Sequence, residues 1–509
     1  MANLYRKKRR ILAAVLAGAF SCGAVSGCGG TGRGASTSTD TGSVSTGSEK
    51  TEIGKEGWYT LTNKTVAGKD ITASFLYNCI RLEGGVATAY EIDYSGRTET
   101  EGTYSVEGSS VNILFGVKTY KYEYEENTGR MTYSGKVNKQ TVVMSYAYDA
   151  EFTLQTAQTG VSFFEELFGE SKDENFYNYC PSVMMEGNDV MHVWYCSNKD
   201  SGQVTDYVAY RKGALNAEGR WEFGEKQLVL SPTAGSWDDV HTCDPSVVKG
   251  NFTMKGEKYS YLMAYLGCKT YDCTCNEVGI ALAKNPEGPY IKADELNPIA
   301  DFYTSADYDK SSWGYGQPCV ISSDNAGKIL LFYTKGVKSG TYVYVEEWDL
   351  SDISKAKLVR EGRLYDKGVV NASGQTDCIN NADFAYDPFL KRLYCLKEDF
   401  PYPADGGVDW ISGSNTLLYV ELGDTGFDAL FATHTWNVCD TVTAQKTGHF
   451  RNHNMGIVTD AYGAVVNPFE IPIVYTVSDA ADDYPDWTAK GQWPALHTYR
   501  LYGYVFEVR

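Results

Sequence analysis

The chain is 509 residues long, 43% hydrophobic, 22% charged and 14% aromatic, with 51 Gly against 14 Pro, which excludes a disordered or collagen-like chain and leaves ample length to bury two cores. Its formal net charge is −19, and −24 without the five basic residues from Arg6 to Arg10. A surface this acidic repels phosphate backbones, so nucleic acid is not an expected partner and neutral ligands or cations are favoured.

Those five basic residues precede an apolar run, Ile11 to Phe20, too short and too rich in small residues to remain as a transmembrane helix. Residues 1–27 therefore read as a secretory signal. The signal closes on Val25-Ser26-Gly27-Cys28, which resembles the lipobox of bacterial lipoproteins. The resemblance implies that cleavage leaves a lipidated Cys28, placing the protein on the cell surface, anchored to the bacterial membrane and exposed outside. Cleavage nearby with Cys28 unmodified is the alternative. Residues 28–55 are dominated by Gly, Ser and Thr and read as a flexible tether. The glycines from Gly27 to Gly32 fit a dinucleotide-binding pattern but have no strand before them and no helix after, so they are not a nucleotide site.

Residues 56–153 form the first folded unit. Runs such as Ala87 to Tyr94 and Lys118 to Tyr124 alternate with period two between Gly, Asn and Ser clusters, predicting a small antiparallel β-barrel or sandwich. Gly102 to Gly108 followed by Val111 to Phe115 resembles the small lipocalin-like domains appended to secreted glycoside hydrolases. Residues 154–174 are a connector, with a short amphipathic helix expected over Val161 to Phe168.

Of thirteen cysteines, Cys22 leaves with the leader and Cys28 takes lipid, so an odd eleven remain. Cys180, Cys196, Cys243, Cys319 and Cys395 lie in apolar strand-like runs, where cysteine behaves as a small hydrophobe. Cys268, Cys273 and Cys275 share a loop. They read as a local disulfide or free thiols, or as a metal site that lacks a second well-spaced pair.

Residues 175–509 carry a repeat. Cys180-Pro-Ser-Val183, Asp244-Pro-Ser-Val247, Gln317-Pro-Cys-Val320, Asn381-Ala-Asp-Phe384 and Asn454-Met-Gly-Ile457 open five similar segments. Each is followed by a second and a third strand, the last third strand being expected over Thr498 to Tyr502. The fold class is all-β, and five such units predict a five-bladed β-propeller.

Asp244 to Val248, Glu277 to Tyr290 and Gly316 to Val320 together resemble glycoside hydrolase family 43 and its propeller relatives, among them β-xylosidases and arabinofuranosidases. The resemblance implies a sugar-binding cavity at one end of the axis. It also implies a general-base Asp, a pKa-setting Asp and a general-acid Glu at the openings of blades one, three and four, and a blade-five His beside a central ion or water. Here those places read Cys180, Gln317, Asn381 and His453. Neither Gln nor Asn transfers protons at neutral pH, so the expected carboxylates are absent.

Asp244 stays on the ring, Asp383 follows two residues after Asn381, and Glu277 and Glu398 lie at loop ends. Any two of these four are candidates for a displaced catalytic pair; as strand-end carboxylates they equally cap turns. The substrate-binding candidates are Tyr179, Cys180, His241, Trp313, Gln317, Asn381, Trp410, His453, Asn454 and Trp493. Tyr402, Tyr484 and Trp487 join Trp410 and Trp493 on loops where exposed rings suit stacking on sugars, or else pack between blades. A calcium ion in the channel is the one cofactor candidate. Two functions stand: a tethered glycosidase acting as a monomer on oligosaccharides or polysaccharides, and a noncatalytic glycan-binding lipoprotein whose only membrane contact is its lipid.

Overall fold

The computed structural model describes residues 55–72, 75–93, 96–150, 152, 166–168, 177–198, 204–403, 410–467, 470–478 and 499–508. The signal, Cys28, the tether, Tyr484, Trp487, Trp493 and most of the expected helix lie outside them. The chain divides into two units, residues 1–156 and 157–508.

In the first unit eight main strands, from Gly57–Val66 to Gln140–Asp149, run antiparallel in chain order. The last pairs back onto the first, from Trp58↔Asp149 to Val66↔Val142. The sheet is thus a closed barrel, an arrangement that removes free edges. Lys118–Glu125 shows the expected alternation, with Tyr120, Tyr122 and Tyr124 inside and Thr119, Lys121, Glu123 and Glu125 out. A buried Lys64 is tied to Glu91 at 2.5 Å, and Glu91 also accepts from Asn78 Nδ2 at 2.6 Å.

The second unit holds three four-stranded antiparallel sheets, opened by His241–Met254, Gly314–Ser322 and Asp383–Asp387. An eight-stranded sheet joins the first set of strands, opened by Asn178–Glu186, to the last, opened by Asn452–Thr459. The joint is a parallel pairing, Val183↔Val458 and Met184↔Thr459. The last third strand spans Arg500–Glu507, beginning and ending later than the sequence suggested. Of the expected helix, Glu166 to Phe168 are described, and they are not helical. Leu167 N–H donates to Leu501 O at 2.7 Å, and Leu167 and Phe168 pack on the buried Tyr195 cluster, so burial and strand pairing override the amphipathic pattern.

The five openings share one backbone device. Cys180, Asp244, Gln317, Asn381 and Asn454 all adopt left-handed φ, between 33° and 49°. In four of them the pairing register skips at this point, as in a β-bulge; Asn381 stands just before its strand. A bulge bends a strand and re-aims a side chain, and it accommodates prolines such as Pro181, Pro245 and Pro318, which have no N–H for the ladder. L-residues adopt this conformation at a cost of about 1–2 kcal/mol each, so the surrounding structure must hold it.

That hold is a relay from each sheet to the next. Val247 N–H donates to Ser182 Oγ, Val320 N–H to Ser246 Oγ, Phe384 N–H to Cys319 Sγ and Ile457 N–H to Asp383 Oδ2. The fifth equivalent is Gly456, where a Cβ would stand 2.1 Å from Pro181 O and the last set of strands meets the first within one sheet. Gly456→Ala is therefore expected to prevent closure, read as loss of the cooperative thermal transition of the second unit. At the far end of these strands the turn 460–465 accepts N–H groups from Lys249, Ser322 and Tyr386, one from each four-stranded sheet.

Candidate functional site

The five left-handed openings take equivalent places in the repeat, and a second tier of acceptors receives most of their N–H groups. Cys180 N–H donates to Thr476 Oγ1, Asn381 N–H to Thr334 Oγ1 and Asn454 N–H to Glu398 Oε1, while Asp244 N–H points at Cys196 Sγ. These acceptors occupy equivalent places on the second strands. The fifth place is Leu266, which has no side-chain acceptor. There the Gln317 N–H instead favours the Asp244 carboxylate.

Asp244 is buried at 4% exposure. Burial pushes its pKa from 3.8 up to about 7; the Cys180 thiol and the Gln317 N–H oppose the rise, and the Asp206 charge adds to it. Its Oδ1 lies 3.1 Å from Cys243 Sγ and 3.6 Å from Cys196 Sγ. Those sulfurs form a disulfide between the first and second sets of strands, so they have no proton to give. Cys196 and Cys243, expected as small hydrophobes, are thus a covalent link; Cys180, Cys319 and Cys395 are buried free thiols. Cys180 Sγ stands 3.8 Å from Gln317 Oε1. Trp313 packs on the cluster made by Cys180, Cys243 and Leu266.

Glu398 is fully buried. Oε1 faces His453 Nδ1 at 2.5 Å and accepts the Asn454 N–H at 2.8 Å. Oε2 accepts from Asn381 Nδ2 at 2.9 Å and Tyr402 OH at 2.7 Å. Burial alone would raise its pKa, but His453 and the donated hydrogen bonds outweigh it and hold the carboxylate below its ordinary range. One glutamate thereby gathers Asn381, His453 and Asn454. Burial pushes the Cys180 thiol well above its ordinary range, and the charges of Asp244, Asp383 and Glu398 add to the rise.

Asp383 is turned between strands toward the Ile457 N–H, the task Ser182 and Ser246 perform elsewhere; burial raises its pKa to about 6. Asp383→Ser should accordingly keep the fold, and at most a few degrees of midpoint shift by calorimetry is expected. Glu277 is buried apart from the ring. It accepts the Phe302 N–H at 3.1 Å, and burial, reinforced by neighbouring Asp301, raises its pKa to about 8.

His241 Nδ1 is 2.6 Å from Asp206 Oδ2, and Asp206 Oδ1 accepts from Tyr179 OH at 3.1 Å. Asp206 escaped the sequence reading because it opens a third strand, outside the repeated motif. Tyr179, Tyr177 and Tyr499 form an aromatic cluster beside His453, and Trp410, 37% exposed, contributes a hydrogen bond to Tyr499. For calcium, which takes six to eight oxygens, the openings offer Asp244, Gln317, whose Oε1 stands against the Cys180 sulfur, and the buried Asn454 Oδ1, which has no partner among the described residues. That set fits a hard cation poorly.

No protein-family model and no curated protein matches the sequence. Solved structures similar to the chain include an α-L-arabinofuranosidase from Podospora anserina in complex with cellotriose (12% identity, 68% of this chain and 95% of that one, TM-score 0.41). A family 117 glycoside hydrolase from Zobellia galactanivorans is similar at 11% identity over 67% of this chain and 87% of that one, TM-score 0.41. An endo-arabinase from Bacteroides thetaiotaomicron is similar at 10% identity over 68% and 98%, TM-score 0.39. Likenesses this distant add no weight to the geometry.

Proposed function

We propose that the second unit is a five-bladed, glycoside hydrolase-like propeller that processes oligosaccharides of the xylose- or arabinose-containing type at the ring end of its axis. The observation that carries this reading is the contrast between two buried carboxyls, Asp244 at an opening and Glu398 in the tier of acceptors behind the openings. Asp244 has its pKa raised to about 7, while Glu398 is held ionised by His453 and three further donors. Carboxyls driven apart in this way suit acid and base roles across a glycosidic bond. Asp244 is the proton-exchanging group, Glu398 the fixed negative charge, and Asn381, Gln317 and Asn454 the hydroxyl-binding groups. The Tyr179, Tyr499 and Trp410 rings offer apolar faces for sugar stacking.

One observation favours glycan capture without turnover: the four donors on Glu398 occupy the positions a base would offer to water. The deciding experiment screens the purified chain against xylan-, arabinan- and fructan-derived oligosaccharides, following reducing ends and binding heat together. Product formation supports hydrolysis. Binding without product supports capture, and neither binding nor product refutes both.

The Cys196–Cys243 disulfide supports residence in an oxidising compartment. With a lipid on Cys28 the protein would stand on the outer face of its membrane, its N-terminal barrel serving as a lipocalin-like appended domain. Membrane fractionation checks the tether: Cys28→Ala is expected to release the protein or leave it unprocessed, and equal retention of that variant refutes lipidation.

A further inference from the structure

Outside the ring, a carboxylate oxygen of Asp206, a ring nitrogen of His241 and Cys273 Sγ lie within 4.8 Å of one another. Asp206 and His241 are 2% and 1% exposed, and Cys273 is partly buried. The three come from separate parts of the chain. Asp206 opens a third strand, His241 a first strand, and Cys273 sits in the loop between Glu257–Cys268 and Glu277–Ala283.

That loop is held before any ligand arrives. Cys273 is left-handed at φ 51°, its carbonyl accepts from Asn276 Nδ2 at 2.8 Å, and Thr270 Oγ1 donates across the loop to Thr274 O at 3.0 Å. The neighbouring sulfurs are engaged elsewhere, Cys268 with Thr270 and Thr274 and Cys275 with the Asp309 carbonyl. Of the three loop cysteines, only Cys273 joins a histidine and an aspartate. Asp206 is steadied in turn by Tyr179 OH, and among the described residues the enclosed His241 Nε2 has no hydrogen-bond partner, while the Asp206 N–H and carboxylate both meet Nδ1.

We propose that Asp206, His241 and Cys273 bind one thiophilic divalent cation, zinc by preference. Zinc bonds of about 2.0–2.3 Å to O, N and S place donors of a tetrahedral site roughly 3.3–3.8 Å apart. The trio reaches that spacing by opening the 2.6 Å Asp206–His241 contact and drawing Cys273 inward. Mixed thiolate, imidazole and carboxylate donors suit zinc and neighbouring transition metals rather than calcium or magnesium. On binding, the Cys273 thiol loses its proton to solvent, while the neutral imidazole carries its own on the nitrogen that faces away from the metal. One proton is therefore released per ion. Three protein donors leave a fourth position for water.

The test titrates the purified full-length chain, stripped with chelator and without reductant, with cobalt(II) as a spectroscopic stand-in for zinc. Thiolate-to-cobalt charge-transfer absorption saturating at about one equivalent, abolished by zinc and absent in Cys273→Ala, supports the site. His241→Gln should weaken binding at least tenfold. Should that buried variant fail to fold, the Cys273→Ala arm still decides, because its side chain lies on a partly exposed loop. Absence of the absorption in wild type overturns the proposal. So does an unchanged titration of Cys273→Ala, or loss of the band in Cys180→Ala alone, which would place the ion in the ring.

Discussion

Asp244→Asn is expected to lower glycoside turnover by about 10²–10⁴-fold, the range that a positioned acid or base contributes, while leaving oligosaccharide binding within about tenfold. Asparagine keeps the shape of the side chain and its acceptor for the Gln317 N–H, but it cannot exchange a proton at neutral pH. With the folded pKa at about 7, an acid role also fixes the pH profile: kcat/KM should fall as pH rises past about 7. The same shift sets a stability slope. The folded state holds this proton more tightly than the unfolded chain, whose pKa is near 3.8, so its contribution is fully present below that value. It is lost progressively as pH climbs to about 7, and Asp244→Asn should lack this part of the decline. Turnover that survives the substitution would assign the acid to another carboxyl. Glu277 would be the next to replace, since its pKa too is raised, to about 8, although it sits away from the ring.

The repeated openings were legible because their strongest signals are local. Pro181, Pro245 and Pro318 mark the same bulge, and the strand runs after them keep their order. Asp244 could be read from the same register, which put it on the ring with Cys180, Gln317, Asn381 and Asn454. What stayed hidden depends on contacts between segments far apart in the chain. Cys196 and Cys243 sit in apolar strand runs that look like core, and the two sulfurs, 47 residues apart in sequence, meet beside the left-handed Asp244. Asp383, two residues after Asn381 and a candidate for the catalytic pair on that ground, instead turns its oxygen to the Ile457 N–H of the following set of strands. The expected helix near Glu166 failed for a related reason: 3.6-residue periodicity cannot foresee a strand edge at Leu501 offering its carbonyl.

Glu398→Leu is expected to cause the largest loss of stability of any single change in the ring, and Glu398→Gln a much smaller one. Leucine leaves four donors facing a buried apolar group: His453 Nδ1, the Asn454 N–H, Asn381 Nδ2 and Tyr402 OH. A buried donor without a partner costs about 1–3 kcal/mol, so even partial relaxation leaves a deficit large against the stability of a domain. Glutamine keeps one carbonyl oxygen, which must face the Asn454 N–H because a backbone donor cannot reverse. Its amide then meets Asn381 and Tyr402, and both can adapt, the first by turning its own amide and the second by rotating its hydroxyl. Acid should separate the variants further. The Glu398 pKa is held below its ordinary 4.5, so its stabilisation is complete above that value and is lost as pH falls through the depressed folded pKa. Glu398→Gln should show no such acid-dependent loss. Thermal midpoints of the three proteins between pH 3 and pH 7 measure both effects, and equal midpoints for leucine and glutamine at neutral pH would show that Glu398 does not hold the ring together.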